Sequence, residues 1–436
     1  LKWLQMADIG DAACSTKGVF FWRINQAKYE GAGARAEALL LSVLGRFGFR
    51  QAKSAAEASL IWANCFEEKL WASASYSLIN HFPRSCELSH KNRLYTALAR
   101  SGCRYLPESF VLPRDRALLD QALRRVPSTG AASITASVSE CAKGSIHWIV
   151  KPGQSGGGRG VTVLRCDADP QSVDAALGAA DAACAAAKAP IVVSSYIESP
   201  LLVDGRKVDL RLYVLVTAFG EHAGETSAYL FSEGLVRFAS EKYSLTTESL
   251  SVPFVHLTNN EVNARNKCAA SGLPQSKRSR RDSGNWSLHR FWQWLRQNPP
   301  AGHGESDVVE STWQRIRELA FEAVDSARPV ISTAMLAHPA ERRSHCFELF
   351  GLDVLLDQNL WPWLCEVNGL PSLGVGGAPD LDIDTAMLTE LFTKLLGSPQ
   401  SPCWVETRAK SESDVAEVGA WFEPLSSTIV ASSLDK

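Results

Sequence analysis

The alternation of apolar and polar positions along the chain predicts an α/β protein. Residues 19–24 (VFFWRI) and 58–63 (ASLIWA) read as strands. Between them Ala36, Leu39, Leu40, Val43, Leu44 and Phe47 recur at helical spacing over residues 34–47. This opening predicts a small N-terminal α/β domain over residues 15–105. A second segment, 106–195, holds a short strand at 107–112, a helix at 114–126 and strands at 146–151 and 161–164 around a glycine-rich turn. An alanine-rich helix at 171–189, ending at Pro190, and a strand at 191–197 complete it. A third segment, 196–397, holds strands at 207–217 and 227–232, helices beginning at Leu288 and near Ser311, and a hairpin over 347–368. Residues 127–145 and 264–286 are poor in large apolar side chains and read as loops. Residues 398–436 mix Ser, acidic and small residues and read as a loosely attached tail.

Composition narrows the class. At 436 residues the chain exceeds one ordinary domain, and 45% apolar with 21% charged residues excludes wholesale disorder, collagen and coiled coil. No run of 18 apolar residues occurs, so no membrane-spanning helix is expected. A net charge of −2 argues against a nucleic-acid partner, while leaving room for a local basic patch. Eleven cysteines without a CxxC pair predict reduced thiols in a cytoplasmic protein, not a disulfide framework or a zinc site. No secretory signal opens the chain, which begins at Leu1 and reads as a fragment.

Three stretches carry candidate chemistry. The turn Lys151-Pro-Gly-Gln-Ser-Gly-Gly-Gly-Arg-Gly160 lies between two predicted strands. Gly156, Gly157, Gly158 and Gly160 let backbone N–H groups approach a phosphate, and Lys151 ends the entering strand as a positive charge. A flexible hairpin loop would share the glycines. It is neither a P-loop nor a dinucleotide fingerprint, because a strand follows, not a helix. In the strand 207–217, Lys207, Asp209, Arg211, Tyr213, Leu215 and Thr217 share one face, and Val208, Leu210, Leu212, Val214 and Val216 the other. A solvated polar face would alternate too, but would not require three charges in register at one end. In the hairpin, a two-residue turn at Gln358-Asn359 sets Asp353 opposite Leu364, with Glu366 diagonal and Asn368 continuing that face. The other face, Leu352, Val354, Leu356, Trp363, Cys365 and Val367, is apolar. No Lys or Arg lies in the hairpin to offset the carboxylates, so oxygen ligands for Mg²⁺ are expected there, provided the register holds.

Together these stretches resemble an ATP-grasp ligase, and their wording resembles the tubulin–tyrosine ligase-like family. The matching segments are WIVKPGQSGGGRGV (148–161), YIESPLLVDGRKVDLRLYVLV (196–216), YLFSEGLVRFASEKYS (229–244), HLTNNEVN (256–263) and FELFGLDVLLDQNLWPWLCEVNGLPSL (347–373). INHFPRSCELSHKNRL (79–94) and LPESFVLP (106–113) are similar to the family's N-terminal signatures, so the likeness covers residues 19–396. The resemblance implies an ATP-grasp fold: the N-terminal α/β domain, a central subdomain with the phosphate loop, and a C-terminal domain with the metal site. It implies that Lys91 and Lys151 contact the nucleotide, and that Lys207, Asp209 and Arg211 hold ATP and orient the substrates. It also implies that Arg237 lies near the γ-phosphate, that Thr258 and Asn259 lie at the reaction centre, and that Asp353, Glu366 and Asn368 are Mg²⁺ ligands. Where the family carries Gln before its x-Tyr-Ile motif this chain has Ser194, which implies a weaker seat for adenine. Val208 stands where the family has Phe, on the apolar face.

The implied reaction joins a free amino acid to a carboxylate of the acidic tubulin tail, through an acyl phosphate made from ATP, by a monomeric enzyme at microtubules in the cytoplasm, cilium or flagellum. Glutamate, glycine and tyrosine ligases share these motifs. FSEGLVRFASEKY and HLTNNEVN stand nearer the glutamylases, while the compact length stands nearer the tyrosine ligase; glutamate is the expected substrate. An inactive tubulin-binding module and a small-molecule ATP-grasp ligase are the alternatives. Finally, residues 256–300 hold Arg265, Lys267, Lys277, Arg278, Arg280, Arg281, Arg290 and Arg296 against only Glu261 and Asp282. Such a run is ordinarily a solvated loop. Next to the HLTN motif, Lys277, Arg278, Arg280 and Arg281 are expected to steer the acidic tail.

Overall fold

The computed structural model describes residues 17–22, 32–73, 77–125, 145–153, 156–167, 169–222, 225–270, 284–301, 308–374, 379–397 and 422–425. These form a mixed α/β structure with three sheets. The first joins β1 (Lys17–Trp22), β2 (Phe49–Gln51), β3 (Leu60–Ala63) and β4 (Leu78–Ile79) in the order β2-β1-β3-β4, all parallel. Parallel neighbours require a crossover, and the helix Ala32–Arg46 supplies it between β1 and β2. Of the predicted stripe, Leu40, Val43, Leu44 and Phe47 are buried, and Ala36 and Leu39 pack half-buried against the same core.

The second sheet is antiparallel, in the order β5-β8-β6-β7, from β5 (Ser109–Leu112), β6 (Ser145–Pro152), β7 (Thr162–Asp167) and β8 (Ile191–Ser195). β6 and β7 are the strands predicted around the glycine-rich turn. The alanine-rich helix Pro170–Ala187 begins where proline's fixed φ suits the first turn, with the Asp169 side chain accepting from the Ser172 N–H. It covers one face of this sheet together with the helix Arg116–Leu123.

The third sheet runs β12-β11-β10-β13-β14, from β10 (Arg206–Ala218), β11 (Ser227–Phe238), β12 (Trp286–Ser287), β13 (Glu348–Leu356) and β14 (Pro362–Asn368). β9 (Leu202–Val203) pairs with β10, and β15 (Phe422–Leu425) with β11. β10 is central, and its two faces divide as predicted. Val208, Leu210, Leu212, Val214 and Val216 enter the main core with the helices Leu288–Gln297 and Val308–Asp325. Each such side chain stabilises the fold by about 1.5–3 kcal/mol. Tyr213 and Leu215 on the other face join a second core with Leu40, Val43, Leu391 and Phe392. The polar end of that face is left to build the site.

Four expectations change. The hairpin turn is not Gln358-Asn359: Leu356 pairs with Pro362, so residues 357–361 form the turn, held by Asp357 Oδ1 accepting from Asn359 N and Trp361 N. An irregularity follows, since Val354 pairs with Leu364 but Asp353 pairs with Glu366, leaving Cys365 as an extra residue. Leu364 and Val367 therefore enter the core, while Trp363 instead reaches Asp357 with its indole N–H. β11 extends past the predicted 227–232 to Phe238. Residues 260–270 are a helix, where a loop was expected from 264. Part of the expected loose tail, Phe422–Leu425, is a strand. The 127–145 loop lies, but for Ser145, outside the described residues.

Candidate active site

Register across four neighbouring strands lines up the charges. Arg237 on β11 pairs with Asp209 on β10; Arg211, two residues along, pairs with Asp353 on β13; Asp353 pairs with Glu366 on β14. Arg237 donates from Nε to Asp209 Oδ1 at 2.7 Å, and its Nη2 lies 2.8 Å from Asp353 Oδ2. Arg211 donates from Nε to Asp353 Oδ1 at 2.6 Å, and Thr258 Oγ1 donates to Asp209 Oδ2 at 2.7 Å. Burial works against the charge on both members of such a pair. Here it is outweighed. Asp209 and Asp353 hold the Arg237 guanidinium well above its ordinary range, and Arg211 and Arg237 hold the Asp353 carboxyl well below its own.

Glu366 meets a further cation from outside the sheet. Lys91, at the start of the helix Lys91–Ser101, places Nζ 2.7 Å from Glu366 Oε2. Asn368 Nδ2 donates to Gly351 O at 3.3 Å and Glu366 Oε1 at 3.4 Å. The hairpin has no Lys or Arg of its own, as read from the sequence, yet cationic side chains offset its carboxylates. Arg211, Arg237 and Lys91 reach them from other elements. Among the described residues no group of three His, Cys, Asp or Glu could hold a metal. Asp353, Glu366 and Asn368 are instead two carboxylates and an amide, an oxygen set that fits Mg²⁺ completed by substrate oxygens.

Two more lysines lie buried beside the same strands. Lys151, at the end of β6, donates to Tyr95 OH at 2.8 Å and Cys365 O at 3.4 Å. Lys207 donates to Tyr196 OH at 3.0 Å; burial, reinforced by the Lys151 ammonium, pulls its pKa down to about 8. Lys91, Lys151, Lys207, Arg211 and Arg237 thus face Asp209, Asp353 and Glu366, a surplus of two positive charges. The glycine loop bends over the start of the helix Asn260–Ala270. Gly157 and Gly158 have φ of 65° and 71°, and a Cβ on Gly157 would fall 2.4 Å from Glu261 Oε2, one on Gly158 3.0 Å from Asn259 Oδ1. The positive φ favours glycine at both, and at Gly158 the Asn259, Val262 and Leu257 side chains leave little room for a Cβ as well, whereas the Glu261 tip beside Gly157 can move aside. Gly160 shares the positive φ, whereas Gly156 has open space around it.

Sequence reasoning missed several partners. Tyr95 lies four residues after Lys91 on one helix face, a spacing that could have marked it. Tyr196 and the Cys365 carbonyl gave no such signal. Ser194, where the family's adenine glutamine is expected, is fully buried and accepts from Ser109 Oγ at 2.9 Å. Lys277, Arg278, Arg280 and Arg281 lie outside the described residues, whereas Arg265, Arg290 and Arg296 are exposed.

A family model described as the tubulin-tyrosine ligase family matches residues 69–403. The chain belongs to that family. It is 31% identical over 343 residues to tubulin monoglutamylase TTLL4 of Homo sapiens, covering 76% of this chain and 25% of that protein. It is 32% identical over 367 residues to tubulin polyglutamylase TTLL5 of Mus musculus, covering 81% and 24%. To a probable alpha-tubulin polyglutamylase Ttll1 of Tetrahymena thermophila it is 28% identical over 336 residues, covering 72% and 71%. The chain thus spans about a quarter of the first two relatives' length.

Proposed function

We propose that the chain is an ATP-dependent ligase that adds glutamate to a carboxylate of the acidic tubulin C-terminal tail. Family membership supports ligation, and the glutamylase names of the relatives support glutamate. The single observation that carries the chemistry is the ring of five cations around three buried or half-buried carboxylates. A surplus of positive charge in a desolvated cleft suits a polyphosphate and a phosphoryl group in transfer. We read residues 15–105, 106–195 and 196–397 as the N-terminal domain, the central subdomain and the C-terminal domain of an ATP-grasp arrangement, acting as a monomer on microtubules of the cytoplasm or cilium. Among the described residues no helix is long and apolar enough to cross a membrane.

In this reading the nucleotide lies between the glycine loop and the third sheet. Lys91, Lys151 and Lys207 hold its phosphates, Asp209 and Thr258 orient it, and Arg211 and Arg237 offset charge on the transferring phosphoryl group. Asp353, Glu366 and Asn368 would hold Mg²⁺, which supplies Lewis-acid stabilisation of phosphate oxygens. The γ-phosphoryl group passes to the acceptor carboxylate and ADP leaves. The glutamate amino group then attacks the acyl carbon, phosphate leaves, and the nitrogen loses a proton. In the same reading Asn259, which lies beside Gly158, orients the reacting groups. Incubation with ATP, Mg²⁺, tubulin and each of glutamate, glycine and tyrosine, followed by mass spectrometry of the tails, tests the reading. Mass added with glutamate is expected, and none with any amino acid would overturn it.

The basic run at residues 277–281 is assigned to the acceptor. Changing Lys277, Arg278, Arg280 and Arg281 together to Ala is expected to raise the KM for tubulin and flatten its salt dependence, because long-range steering is what salt screens. The Kd for ATP should hold. An unaltered tubulin KM at low salt would remove these four residues from acceptor binding.

A further inference from the structure

We propose that Tyr95 is a positioning residue that holds the Lys151 ammonium beside β14, ready for a phosphate oxygen, a role that rests on the reading of Lys151 as a phosphate ligand. Tyr95 lies in the helix Lys91–Ser101 and is 2% exposed. Its hydroxyl accepts from Lys151 Nζ at 2.8 Å. An ammonium has no lone pair, so the hydroxyl hydrogen must go elsewhere. It goes to the Cys365 carbonyl oxygen, at 3.2 Å. The same carbonyl takes a second Lys151 N–H at 3.4 Å, a long contact. Cys365 is the residue that the irregularity in β14 leaves without a partner on β13. Tyr95 therefore ties β6, through Lys151, to β14, through Cys365, one residue before Glu366.

The partners of Lys151 are what separate this from a core hydroxyl that is simply satisfied. Both of its hydrogen bonds end on neutral oxygens, and among the described residues it forms no ion pair. One N–H is left for an anion. Burial opposes the ammonium charge, but Tyr95, Cys365 and Glu366 outweigh it and hold the pKa up at about 12. Tyr95 supplies the shorter of the two bonds. Without it the ammonium keeps one long contact, and the Glu366 carboxylate is the charge that remains to draw it. Glu366 already takes Lys91 at 2.7 Å, from one helical turn before Tyr95. One helix face thus keeps the phosphate lysine and the carboxylate proposed for the metal apart, with Lys91 on Glu366 and Tyr95 on Lys151. The Lys91 N–H also donates to Gly153 O at 3.0 Å, at the root of the glycine loop.

The test measures the Kd for ATP with Mg²⁺ by calorimetry in the wild type, Tyr95→Phe, Lys151→Met and the double variant. Phenylalanine keeps the ring in the core and removes only the hydroxyl, so the fold should persist, and thermal melting checks it. Tyr95→Phe should weaken ATP binding about tenfold. Lys151→Met should weaken it at least as much. The double variant should be no weaker than Lys151→Met alone, because the hydroxyl acts only through the ammonium. A hydroxyl that merely steadied the core would cost the same in both backgrounds. Such additivity, or a Tyr95→Phe protein that binds ATP as the wild type does, would overturn the proposal. Unchanged binding in Lys151→Met would remove the phosphate reading itself, and the role of Tyr95 with it. Weakened binding there beside a silent Tyr95→Phe would sink only the Tyr95 role. Should Tyr95→Phe fail to fold, ¹⁵N NMR of the lysine side chains in the wild type decides. The Lys151 ammonium, identified by its absence in Lys151→Met, should give a signal with slow hydrogen exchange before nucleotide is added. A signal averaged like those of exposed lysines would overturn the proposal.

Discussion

Replacing Glu366 by glutamine is expected to lower ligation by more than about a hundredfold while the fold persists. Glu366 is partly exposed at the end of β14, outside all three hydrophobic cores, and glutamine keeps its shape. The direct structural loss is the charge opposite Lys91, a pair whose two side chains are 11% and 16% exposed. Losing one such charge-assisted hydrogen bond costs about 1.5–3 kcal/mol, within the reserve of an ordinary folded domain. The loss to chemistry is larger, because an amide is a weak ligand for a hard cation and removes one of two negative charges that would hold it. Single-turnover ligation, thermal melting, and ATP titration with and without Mg²⁺ separate the two. The variant should melt as a folded protein and lose the tightening of ATP binding by Mg²⁺. Normal turnover would remove Glu366 from the site.

What the sequence made legible follows from where one rule acts without interference. β10 is regular and central, so period-two alternation placed Lys207, Asp209 and Arg211 on one face and five apolar residues on the other, as found. The helix Ala32–Arg46 was legible for the same reason, its stripe being buried on one side only. The hairpin broke the rule. The extra residue at Cys365 shifts parity within β14, sending Leu364 inward and setting Glu366 directly opposite Asp353. Alternation carries no mark of such an insertion, and the correct pair of carboxylates emerged from a turn placed wrongly. Arg237 lies beyond the predicted end of its strand because Ser232, Glu233 and Gly234 interrupt the apolar pattern. Pairing with β10 carries β11 through them. The helix Asn260–Ala270 is mostly polar, so no apolar stripe announced it. The cations that neutralise the hairpin come from 91, 211 and 237, separations no local pattern can reveal.

Arg237→Met should be the most destabilising single change in the site, at about 3–5 kcal/mol, because it leaves buried carboxylates without their partner. Arg237 pairs with both Asp209 and Asp353, and all three are buried. Methionine fills much of the volume, so packing is a minor part of the loss. The sign with pH follows from Asp353. Its folded pKa lies below the unfolded value because Arg211 and Arg237 outweigh burial, so its stabilisation is present above the unfolded pKa and lost as pH falls through the folded one. The gap between wild type and Arg237→Met in urea unfolding should therefore be full near pH 7 and close as the solution becomes acid. A gap that stays constant with pH would mean that packing, not charge, is what the arginine supplies. Function and stability then part in the double variant Arg237→Met with Asp209→Leu. Removing both members of the pair leaves Arg211 with Asp353 and no orphaned carboxylate at 209, so much of the stability should return. ATP binding and ligation should not return, since both residues proposed to face the phosphoryl group and to orient the nucleotide are gone.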